Sequence, residues 1–145
     1  MIGDLRHWAL VSAFVVAGCG QDEATSKMTS QFVGRWTGQY VTSDKGAGLY
    51  VIERMPDGTY QLQTVRVDPG NGLQRESESG KWFIQDRSYK LKIEKVQDRA
   101  ASAWHTSTYQ TYAVGEVQTD SIKLTHSLTG QQLTEKRVAA DYKLP

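Results

Sequence analysis

The sequence predicts an all-β domain over residues 31–145, a single antiparallel up-and-down β-barrel of about eight strands. Three observations point to it. From Phe32 onward, apolar and polar residues alternate at period two, and no stretch carries a helical stripe. Clusters of turn-forming residues separate the alternating runs at short, regular intervals. Those connections are tight enough to join consecutive strands, and closing such a meander removes its exposed edges.

The elements follow in chain order. Met1 to His7 is a short polar start, and an apolar run from Trp8 to Ala17 follows, broken only by Ser12. A transmembrane helix takes about 20 apolar residues, so this run is too short to span a bilayer. It has the length of a signal-peptide core. It ends in Val16-Ala17-Gly18-Cys19, where two small residues can enter a peptidase site and a thiol can accept lipid. Residues 19–30 are polar, have no apolar period and read as a flexible tether.

In the body, strands are predicted at 32–41, 47–54, 58–67, 73–79, 80–85, 88–96, 103–117 and 121–128, with 131–138 as a further one. The split at Gly80 has an alternative, one bent strand over 73–85. Met55-Pro56-Asp57-Gly58 combines a fixed φ with a glycine and should close a hairpin. Between Tyr60-x-Leu62 and Val65-x-Val67 the apolar phase slips, which predicts a β-bulge near Gln63 or Thr64.

Composition narrows function. With 17 Lys+Arg against 16 Asp+Glu, the chain has no basic field for nucleic acid. Its single cysteine, Cys19, allows neither an intramolecular disulfide nor a Cys-based zinc site. His105 and His126 lack metal-ligand spacing, and no Gly-x-Ser-x-Gly elbow is present. The expectation is a binding protein with no cofactor and no metal, not an enzyme.

The candidate ligand-binding residues are Tyr50, Tyr60, Tyr89, Trp104, Thr106, Thr108 and Tyr112. Pockets mix aromatic walls with a few polar groups, and Thr106, Thr108 and Gln110 share the inward phase of Trp104 and Tyr112. The same aromatics serve equally as core. Glu76-x-Glu78 lies on one strand face and could do acid–base work or bind a cation. Arg75, Lys81 and Arg87 nearby make a solvated charged face its ordinary reading.

Two family resemblances rest on residues already quoted. Val16-Ala17-Gly18-Cys19 resembles the lipobox of bacterial lipoproteins. That resemblance implies removal of residues 1–18 as a signal peptide and acylation of Cys19 by palmitate-type chains. Because Gly20, not aspartate, follows, it implies an outer-membrane anchor facing the periplasm. Gly34-Arg35-Trp36, with Gly38 and Tyr40 after it, is similar to the Gly-x-Trp signature of lipocalins and the wider calycin group. This implies that Trp36 closes one barrel end with Arg137 packed across it. Together the resemblances imply an anchored envelope protein whose barrel binds a small apolar or amphipathic ligand. The alternative is a protein-interaction module, an inhibitor or accessory subunit with a filled barrel, acting through loops 42–48 and 68–72.

Overall fold

A computed structural model describes residues 19–42, 46–68, 70–97, 99–100 and 109–145. A helix, α1 (Cys19–Phe32), leads into β1 (Gly34–Val41), β2 (Ala47–Arg54), β3 (Thr59–Asp68) and β4 (Gly72–Gln85). There follow β5 (Ser88–Val96), a two-residue β6 (Arg99–Ala100), β7 (Tyr109–Val117), β8 (Ser121–His126) and β9 (Gln132–Arg137). Each long strand pairs antiparallel with the next, β4 pairs with β5, β5 with β7, and β9 returns to β1. Eight strands therefore close into an up-and-down barrel, and β6 only extends the edge of β5.

The period-two pattern sets what faces in. Trp36 lies opposite Ile52, and Ile52 opposite Leu62, so one continuous row of apolar side chains crosses β1, β2 and β3. Further round, Leu91 faces inward from β5 and Leu124 from β8, opposite Leu133. Strand ends agree closely with expectation at 47–54 and 88–96. The 55–58 hairpin is present, with the Met55 and Gly58 amides bonded to the Thr59 and Met55 carbonyls.

Several expectations are corrected. Residues 19–30 are not a flexible tether but most of α1, and the folded part begins before Gln31. The helix is held from its far end. Phe32 is fully buried in the barrel end, 5.3 Å from the Tyr89 ring and 6.4 Å from Trp82. Packing of this kind overrides the poor helix propensity of Thr25, Ser26 and Thr29. No bulge occurs in β3, whose register with β2 and β4 is unbroken. Val65 is buried on the outer face because the chain after Val138 crosses it. Arg35 donates twice to the Tyr142 carbonyl, and Leu144 shares a cleft with Val65. Irregularities fall instead between Ser79 and Gly80, where Glu94 is the extra residue on β5, and between Val114 and Val117 on β7. Residues 73–85 are one strand, and of the expected 103–117 strand the described part is β7.

The end of the barrel beside α1 is closed by Trp36 and Arg137. Arg137 lies 4.1 Å above the Trp36 ring and donates to the carbonyls of Thr119, Gln31 and Val33. Trp36 Nε1 donates to the Phe32 carbonyl. The two side chains thus satisfy carbonyls left over at the C-terminus of α1. Gly34 explains why the motif begins with glycine. Its φ is +121°, and a Cβ there would come within 2.5 Å of the Arg137 guanidinium.

Replacing Arg137 by alanine removes three charge-assisted hydrogen bonds and the stacked cation. The expected loss is about 1.5–3 kcal/mol in urea unfolding, and Arg137→Lys should recover less than half of it. A wild-type midpoint for Arg137→Ala would show that the closed end is held by other contacts.

Candidate functional site: the barrel lumen

The lumen is built upward from a buried ion pair. Arg54 ends β2 in the inward phase of Tyr50 and Ile52, and Glu135 takes the inward phase of Leu133 on β9. They are 1% and 2% exposed. The guanidinium meets the carboxylate with two parallel bonds, both 2.8 Å. Tyr50 donates its hydroxyl to Glu135 Oε1 at 3.1 Å, and Arg54 Nε donates to the Tyr89 hydroxyl at 2.7 Å. A buried charge pair is tolerable only when its remaining donors and acceptors are also met, as they are here. Burial works against the Arg54 charge, but Glu135 and Tyr89 outweigh it and hold its pKa above the ordinary value. Burial drives both the Tyr50 and Tyr89 hydroxyls well above the ordinary tyrosine range, with Glu135 adding to the effect.

On one side of this layer the barrel is packed with Phe32, Trp36, Trp82, Ile84, Val114 and Ile122. On the other lies a cavity of about 330 Å³. Leu62, Leu91, Leu124 and Leu133 supply its apolar lining, and Tyr40, Tyr50, Tyr89 and Tyr112 its aromatic lining. Gly38 and Gly48 set the tyrosines in place. The Tyr50 ring occupies the space a Cβ on Gly38 would need, and the Tyr40 ring does the same over Gly48. Glu76, exposed, and Glu78, half-buried, line the same space from β4. Thr129 and Gln131 border it between β8 and β9.

Polar groups around the cavity are held in fixed roles. Tyr112 donates to Gln110 Oε1 at 3.2 Å. Burial, then the charges of Glu135 and Glu78, push its pKa up to about 12. His126 accepts at Nδ1 from the backbone amides of Leu128 and Thr129, at 3.3 and 3.2 Å, which places the ring proton on Nε2. The Tyr89 hydroxyl accepts from Arg54 Nε at the edge of the cavity. Among the described residues no three His, Cys, Asp or Glu groups converge to hold a metal ion.

Of the sequence-derived candidates, Tyr50, Tyr89 and Tyr112 meet in the cavity lining. Tyr60 does not. It is buried in the barrel core, in the inward phase of Leu62, and donates to Glu78 Oε1 at 3.0 Å. Trp104, Thr106 and Thr108, with His105, lie outside the described residues, in the connection between β6 and β7. Glu76-x-Glu78, read ordinarily as a solvated charged face, has Glu76 exposed and Glu78 half-buried, and both line the cavity. Both share the inward phase of Trp82 and Ile84, whereas Arg75 and Lys81 take the outward one. Arg54, Glu135, Tyr40 and His126 were not singled out for the site. Their signal was strand phase, set aside for the charged residues because charge usually faces water.

No family model matches this chain, and no curated protein matches it. Among solved structures it is similar to a lipocalin-like protein from Bacteroides uniformis, at 13% identity and a TM-score of 0.44. That likeness covers 74% of this chain and 99% of the other. It is also similar to a de novo designed fluorescence-activating β-barrel, at 14% identity and a TM-score of 0.46, over 76% of this chain and 96% of the design.

Two outcomes follow from the ion-pair layer. Arg54→Met leaves Glu135 buried without its partner and should cost about 3–5 kcal/mol, whereas Arg54→Met with Glu135→Leu should regain at least half of that. Equal instability of the single and double variants in urea titrations would contradict a pair that compensates its own burial. The second outcome concerns alkaline pH. A phenol whose pKa is raised by folding contributes stability that is complete below its unfolded value and lost as pH rises through the folded one. For Tyr112 that window runs from 10.0 to about 12. Tyrosinate absorbance should therefore appear in two steps, the later one coinciding with loss of β-sheet circular dichroism. A single step near the free-tyrosine pKa would refute it.

Proposed function

We propose that this chain is a lipid-anchored envelope protein that binds a small amphipathic molecule in its barrel. The observation that supports binding is the two-part interior. Protein interiors rarely leave voids larger than a water molecule, and on the Trp36 side of the ion pair lie the buried apolar and aromatic side chains of the core. On the far side a cavity of about 330 Å³ joins apolar walls to fixed polar groups, within the usual range for ligand pockets of roughly 300–1,000 Å³. The Leu62, Leu91, Leu124 and Leu133 side chains suit an apolar body, and Gln110, His126 and the two carboxylates suit a polar end. Binding, not catalysis, is the proposed activity. The anchor rests on Val16-Ala17-Gly18-Cys19, and the outer-membrane, periplasm-facing placement on Gly20.

The test is native mass spectrometry of the full chain carrying Cys19→Ser, exported in bacteria. The variant should leave the membrane fraction, in which the unaltered chain is retained. Its native mass should exceed the polypeptide mass by a discrete increment that disappears on denaturation. Leu124→Trp, which fills the cavity from β8, should fold and lose the increment. A bare native mass, insensitive to this substitution and to added amphiphiles, would rule out lumenal binding. Retention of the Cys19→Ser chain in the membrane would rule out the lipid anchor.

A further inference from the structure

The floor of the cavity holds a donor without an acceptor. Tyr89 is 1% exposed, its hydroxyl accepts from Arg54 Nε, and among the described residues nothing accepts its own proton. The neighbouring phenols are committed, Tyr50 to Glu135 and Tyr112 to Gln110. Buried donors are normally met, and one left unmet at the edge of a cavity is where a guest's acceptor would be rewarded. Burial keeps this phenol protonated at neutral pH, because it holds the pKa above the ordinary tyrosine range, with Arg54 opposing and Glu135 adding. Ile52, Leu91, Leu124 and Leu133 give the same space apolar walls.

Charge at this depth is already settled. Arg54 gives both terminal nitrogens to Glu135 in parallel bonds, so the pair is neutral as a unit. A carboxylate on the floor would face Glu135 and an ammonium would face Arg54, each stripped of water. Unlike a charged group, a neutral oxygen can accept from Tyr89 without that penalty. The remaining inward charges are of both signs and lie toward the β3–β4 turn. In register Arg54 is level with Tyr60 and Gly80, Glu78 is one inward step further, Glu76 two and Arg66 three. We propose that the lumen takes a neutral carbonyl compound, a ketone or ester, entering carbonyl first so that its oxygen accepts from the Tyr89 hydroxyl on the ion-pair floor. The inference rests on the lumen being a binding site, and it adds a contact at the inner end of the guest to those at its outer end.

Three probes of similar shape test the assignment: acetophenone, ethylbenzene and benzoate, titrated calorimetrically into the full chain carrying Cys19→Ser. Measured against each neutral probe's own partition from water into alkane, acetophenone should bind about fivefold more favourably than ethylbenzene. Benzoate should bind more weakly than acetophenone. The infrared carbonyl stretch of isotope-labelled acetophenone should lie lower when bound than in alkane, as a hydrogen-bonded carbonyl does. Tyr89→Phe should return the band toward its alkane position and remove the fivefold preference, with ethylbenzene affinity kept within about twofold. The band in the chain with Tyr89 intact is read whether or not Tyr89→Phe folds. An unshifted band, or a shift unchanged by Tyr89→Phe, would overturn the proposal and leave lumenal binding standing. Tightest binding by benzoate would place the polar contact at Arg66, whose buried Nε has no hydrogen-bond partner among the described residues, and would overturn it as well. Failure of all three probes to bind would overturn both readings.

Discussion

The structure depends on the pairing of Arg54 with Glu135. It joins β2 to β9 across the inner face of β1, next to the seam where the last strand returns to the first. Two buried charges in a barrel of this size must be compensated locally. Compensation takes the hydroxyls of Tyr50 and Tyr89 as well as each other. The polar layer that results cannot be packed as densely from both sides as an apolar core. On one side Phe32 lies beneath the guanidinium, 5.3 Å away, among the apolar and aromatic side chains of the core. On the other side the tyrosine rings stand along the wall and leave room.

Much of the fold was legible and much of the site was not, for the same reason. Alternation reports which residues share a face, and here it located the strands, the hairpin at 55–58 and the inward set of Tyr50, Tyr89 and Tyr112. It does not report chemistry. Arg54, Glu76, Glu78 and Glu135 all share the phase of the inward residues of their strands, and the habit of placing charge outside hid Arg54 and Glu135. Two other departures were tertiary in origin. The residues of α1 have little local reason to be helical, and what fixes them is Phe32 in the barrel end with Arg137 and Trp36 on the terminal carbonyls. Val65 broke the phase of β3 because a segment some eighty residues away in the chain covers it, a contact no short window of sequence contains.

The two ends of the barrel have different chemistry. One is sealed by rings and by a guanidinium spent on backbone carbonyls. The other is bordered by carboxylates, amides, a hydroxyl and an imidazole with a fixed tautomer.

The helix has a geometric consequence for a chain tethered at Cys19. Fourteen residues of α-helix measure about 21 Å, and they end at the sealed end of the barrel. Under the lipid anchor proposed above, a stalk docked in this way, unlike a loose leash, would hold the sealed end toward the bilayer and aim the other end at the aqueous compartment. A guest would then be collected from solution and not drawn sideways out of the lipid.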